Sequence, residues 1–116
     1  MTGAAEELRR WFAPTGAARR VCVGCAADLD MALSWTPGSL RSLVVVRGEG
    51  DLGAFLNAWT MHVETTGVLV LDGFGEGDPG VPPLVPWCGP DGRVWVPAGR
   101  DESAFAWLCA GYMGDR

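Results

Sequence analysis

Gly67-Val-Leu-Val-Leu-Asp72-Gly-Phe-Gly-Glu-Gly-Asp78-Pro-Gly-Val-Pro-Pro83 decides how the rest of the chain is read. Val68 to Leu71 are apolar without interruption, which suits a strand buried on both faces, as in parallel sheets. The run ends on a carboxylate and opens into a loop of glycine and proline. Loops at the carboxyl ends of parallel strands are where α/β domains place their ligands. The stretch therefore predicts an α/β domain with a crevice lipped by Asp72.

The flanking segments extend that reading. Upstream, Val21-Cys-Val23 and Leu43-Val-Val-Val46 read as two further apolar strands. Between them, Asp28 to Leu33 gives about two turns of helix, stopped by Thr36-Pro37-Gly38. Asp51 caps a helix to Val63, with Leu52, Phe55, Leu56, Trp59 and Val63 on one face. Near the N-terminus, Ala4, Leu8, Trp11 and Phe12 share a helical face ahead of Pro14 and Gly16. Downstream, Arg93 to Val96 predicts a fourth strand. A closing helix from about Asp101 is predicted from Phe105, Leu108, Cys109 and Tyr112 on one stripe. Alternating strands and helices predict one domain, 1–116, built as a three-layer α/β sandwich around a mostly parallel four-stranded sheet.

Composition narrows the function classes. The chain has 116 residues, 48% hydrophobic and 20% charged, which are values of a single globular domain. Its formal charge of −5 argues against a nucleic-acid surface, since phosphate contacts need concentrated positive charge. The arginine pairs Arg9-Arg10 and Arg19-Arg20 are its basic clusters. No apolar run approaches the roughly 18 residues of a membrane span, and the N-terminus has neither a basic region nor a hydrophobic signal core. The expectation is a cytoplasmic protein with no membrane or nucleic-acid partner.

Chemistry-bearing residues are sparse. Cys22-Val-Gly-Cys25, Cys88 and Cys109 could supply four thiolates to a zinc ion, but only the first two form a close pair, and free cysteine is commonly buried. A zinc-stabilised or thiol-redox module is thus an alternative, and no metal is expected. Trp87-Cys88-Gly89-Pro90 resembles the start of the thioredoxin active site, with Asp91 in place of the second cysteine. Asp72, Glu76 and Asp78 could line a cation loop or be a solvated acidic loop. His62, the sole histidine, lacks the partners of a catalytic triad and is expected at the surface or a boundary. Trp35 and Trp87 fall in proline-bearing loops, where an aromatic either lines a pocket or folds back over the sheet.

From about Ser42 to Val85 the chain resembles Rossmann-like S-adenosylmethionine-dependent methyltransferases, in the branch grouped with cephalosporin hydroxylases. The resemblance is carried by Arg47-Gly48-Glu49-Gly50, the helix from Asp51, Thr66-Gly67 to Asp72, and Pro79-Gly80-Val81. Arg47 stands where that family has a strand-end acid and Gly50 where it has a histidine. Gly24 is the one glycine kept from the cofactor loop, and the strands that would hold adenosine have no room. The resemblance implies a truncated Rossmann-like domain that is noncatalytic and binds no cofactor, an accessory, ligand-binding or interaction subunit. Gly24, Arg47, Asp72, Glu76, Asp78 and Trp87 are its candidate ligand-binding residues. A homodimer or a larger enzyme partner is expected to cover the exposed sheet edges. The alternative is a methyltransferase whose site is completed across a subunit interface.

Overall fold

The computed structural model describes residues 18–75, 77–100 and 104–112. The helix expected at 2–12 lies outside them. In chain order the elements are β1 (Ala18–Cys22), α1 (Ala26–Ser34), β2 (Leu40–Val46), α2 (Leu52–Trp59) with a 3-10 turn (Thr60–His62), β3 (Val63–Asp72), β4 (Trp87–Cys88), β5 (Arg93–Arg100) and β6 (Ala104–Tyr112). All six strands form one sheet in the order β1-β2-β3-β6-β5-β4. The first three are parallel, as their apolar runs predict, while β6, β5 and β4 join antiparallel.

This corrects the sequence-based architecture. The sheet is six-stranded and mixed, not four-stranded and mostly parallel, and the fold is richer in β-structure than a truncated Rossmann-like sandwich. The main cause is β6, which was expected to be helical. Its apolar residues fit a helical stripe, but they also alternate in size. Phe105, Trp107 and Cys109 point into the main core, while Ala104 and Ala106 belong to a second cluster on the opposite face. Pairing of Leu69 with Trp107 and Leu71 with Phe105 buries those aromatics against β3. Tertiary burial overrides the helical preference of alanine.

Layering follows from topology. Two successive right-handed crossovers run from β1 to β2 to β3 in one direction, so α1 and α2 lie on the same face. Val21, Leu43, Val45, Leu69 and Leu71 meet Ala32, Phe55, Leu56 and Trp59 there. Beyond the helices, the segment after β3 descends over β6 and β5, contributing Phe74, Val81, Leu84 and Trp87 to that core. Trp87, expected in a loop, is the first residue of β4 and is stacked on Trp95 with ring centroids 5.9 Å apart.

The two helices are joined by polar contacts inside the apolar layer. Trp59 is fully buried and its indole N–H donates to the carbonyl of Asp28, 3.1 Å away. His62 is buried, not at the surface, with Nε2 2.9 Å from the Ala32 carbonyl and its ring edge-on to Trp59. Both bonds tie the end of α2 to α1. The α2 helix stops at Trp59, short of the expected Val63, because the chain tightens into the 3-10 turn and Val63 becomes the first residue of β3.

At the opposite end of the sheet from Asp72, Arg93 is buried at the start of β5. It is paired with Asp91 and donates from Nε to the Val63 carbonyl at 3.0 Å. This clip fastens β5 to the start of β3. Arg93→Leu would take the guanidinium from Asp91 Oδ2 and from that carbonyl, leaving Asp91 only the backbone N–H of residue 93. The expected cost is about 3 kcal/mol, the low end for breaking a buried pair because Asp91 is partly solvated. Urea unfolding of the variant measures it.

Candidate functional site

The carboxyl ends of β1, β2 and β3 form a crown of three loops, and the crown brings some of the candidate residues together. After β1, the chain turns through Gly24 with φ +89° into α1. After β2 it passes through Arg47, Gly48 and Gly50 into α2, whose N-cap Asp51 accepts from Ala54 N at 3.3 Å. The two loops pack backbone to backbone. A Cβ on Gly24 would collide with the Glu49 carbonyl, and one on Gly48 with the Val23 carbonyl. These glycines permit a close approach of main chain, and in doing so they fill the space above the strands.

Arg47 and Asp78 meet in this crown. They form an ion pair, and the Arg47 guanidinium lies 5.7 Å from the Phe74 ring centroid. Asp78 also accepts from Gly75 N at 2.7 Å, closing a turn in the loop after β3. The hydrogen bond from Gly75 first, and then the one from Arg47, hold the Asp78 carboxyl below its ordinary value of 3.8 against a smaller opposing effect of desolvation. Val23, Gly48, Gly50, Leu52, Phe74 and Pro79 surround the pair in a cavity of about 110 Å³. A second cavity, of about 290 Å³, shares Gly50 and is lined by Gly24, Cys25, Ala26, Leu29, Asp51, Ala54 and Phe55 between the starts of α1 and α2.

The other candidates lie elsewhere. Asp72 belongs to the sheet face turned away from the helices, where Arg20 Nη2 reaches its carboxylate at 3.3 Å. Successive residues of a strand point to opposite faces, so Asp72 and Arg47 are separated by the sheet although Arg47 N bonds the Asp72 carbonyl at 3.0 Å. Trp87 packs near the far end of the sheet, against Trp95 and Trp107. Glu76 lies outside the described residues. Asp28, expected as an N-cap, sits in the first turn of α1 and accepts from Cys22 N at 2.9 Å, while Cys25 takes the N-cap position. The four cysteines are free, and no group of three possible metal ligands gathers among the described residues. No family model, curated protein or solved structure matches the chain.

Sequence reasoning missed Gly48 as a packing residue and Arg20 as the partner of Asp72. The period-two alternation of Arg20 with Val21 gives the Arg20 side chain its face, but which strand it neighbours depends on sheet order.

Two outcomes test the crown. Gly24→Ala should cost at least about 2 kcal/mol in urea unfolding, because it adds a collision to the strain of a positive φ. Gly38→Ala also has positive φ, but its nearest neighbour stands 3.8 Å away. It should cost only about 1 kcal/mol, the backbone part alone. Separately, the depressed carboxyl of Asp78 makes its contribution to stability complete above pH 3.8 and lost as pH falls through its lower folded value. The acid limb of the stability curve should therefore be shallower in Asp78→Asn than in the parent below pH 4, as read by urea midpoints at successive pH values.

Proposed function

We propose that this chain is a noncatalytic accessory module that acts by binding, not by bond-making chemistry. The observation that carries this reading is the employment of four aspartates at the strand ends. Asp28 holds the end of β1, Asp51 caps α2, Asp72 pairs with Arg20, and Asp78 pairs with Arg47 and closes a turn. A general acid or base needs a titratable group poised near the working pH within reach of substrate. The one histidine is in the core, where its Nε2 faces the Ala32 carbonyl.

At the polar end of the crown, size supports the same conclusion. The cavity at Arg47 and Asp78, about 110 Å³, is well below the roughly 300–1,000 Å³ of pockets that enclose drug-sized ligands. Whatever methyltransferase ancestry the stretch 42–85 carries, the place above β1 and β2 is taken by the contact of Gly24 with Glu49. The one-way order of β1, β2 and β3 also provides no reversal of strand order among them, the feature that opens a nucleotide crevice in doubly wound sheets. The larger cavity beside it is bounded mainly by apolar and small residues, which suits an apolar group delivered by a partner or a small ligand.

Calorimetric titration of S-adenosylmethionine into the protein tests the proposal. The expected result is no binding heat at micromolar protein and millimolar titrant. Saturable binding with a micromolar Kd would overturn it in favour of an enzyme.

A further inference from the structure

Cys22-Val-Gly-Cys25 joins β1 to α1 as a single tight turn. Cys25 N donates to the Cys22 carbonyl at 3.2 Å, and Gly24, third in the turn, takes φ +89°. A type II turn requires such a positive φ at its third residue, and a turn of this kind holds its first and fourth Cα atoms within about 7 Å. Disulfides join Cα atoms roughly 4.4–6.8 Å apart. Both thiols are half-buried, so both are open to a small reagent. They also border the same neighbour, the β2–α2 loop. Cys22 Sγ is 3.8 Å from the Arg47 carbonyl, and Cys25 shares the 290 Å³ cavity with Gly50 and Asp51.

We infer that Cys22 and Cys25 are a dithiol that closes to a disulfide on meeting a small-molecule disulfide such as oxidised glutathione. The remaining cysteines select this pair. Cys109 is fully buried on β6, and Cys88 lies on β4 with β5 between them, about 9.5 Å at the usual strand spacing and beyond disulfide reach. From β1 the sheet runs three places to β6 and five to β4, so Cys22 has neither of them near it. The reagent balances the exchange. One protein thiolate attacks a sulfur of the small disulfide, whose S–S bond breaks and releases one small thiolate. The second protein thiolate then attacks the protein sulfur of that mixed disulfide and expels the other. Two electrons pass to the reagent, and the two cysteine protons leave with the two small thiols. The turn favours the second step over capture of another reagent molecule, since it holds the attacking sulfur beside its target. The bond takes the Cys22 S–H from the Arg47 carbonyl and ties the end of β1 to the N-cap of α1, at the wall of the apolar cavity. It is a modification of the chain and stands independently of the binding reading above.

Incubation of the full chain with oxidised glutathione, followed by acid quench, alkylation with N-ethylmaleimide and peptide mass spectrometry, is the test. The expected product links Cys22 to Cys25 with the loss of two hydrogens, while Cys88, exposed and with no second cysteine in reach, carries glutathione. Cys22→Ser should raise glutathione on Cys25 at least about tenfold over the parent, because the resolving thiol is gone. Cys25→Ser should do the same at Cys22. Circular dichroism checks that both variants fold, and the product of the parent chain is read without them. A parent in which glutathione persists on Cys22 or Cys25, in which both are alkylated while Cys88 reacts, or in which either is linked to Cys88 or Cys109 overturns the inference.

Discussion

The helix layer depends on one buried indole. Trp59 fills the centre of the interface between α1, α2 and the sheet, and its N–H satisfies the carbonyl of Asp28. Around it, Trp35 packs at 6.0 Å and His62 at 5.4 Å between ring centroids. Such a hub does two jobs together. It supplies the largest apolar surface available to a side chain, and its single polar atom fixes the relative position of two short helices. Helices of nine and eight residues are too short to be stable alone. Their existence is a consequence of this packing, and so is the placement of both helix starts at the crown.

Once the helix starts are fixed, the crown has little freedom left. The β1–α1 and β2–α2 loops are brought into backbone contact, and glycine at 24 and 48 is the residue that allows it. The same closeness brings several charged groups of this region onto one another or onto the main chain. Arg47 and Asp78 satisfy one another, and Asp51 and Asp28 serve main-chain amides. Polar chemistry is spent on holding loops in place, while the apolar residues of α1 and α2 are left outward. The surface most available for recognition is thus the one with the least charge.

Much of this was legible in the sequence, and the reasons are specific. Leu43 to Val46 and Val68 to Leu71 announced interior parallel strands because nothing in them tolerates water. Asp51 announced its helix, since an aspartate before an amphipathic run has a local function that needs no tertiary context. The segment 104–112 was illegible as a strand, because residues apolar at every position satisfy a helical and an extended period alike. Its large-small alternation was the usable signal. The pairing of Asp72 with Arg20 was beyond reach, since it depends on a strand order no local pattern encodes. Likewise His62 looks like a flank residue by sequence and is buried because α1 folds back over it.

The order of the strands also determines which of them stand at risk. The valine- and leucine-rich segments of β2 and β3 are interior, each flanked on both sides, whereas the sheet ends on β1, which carries Arg19 and Arg20, and on β4, only two residues long. Charge and brevity are the usual defences of a sheet margin against pairing with other chains. Among the described residues, the cover of Leu43-Val-Val-Val46 on that side is the five-residue β1. A nick or detachment there would bare an uncharged, β-branched edge of the kind that pairs with other chains.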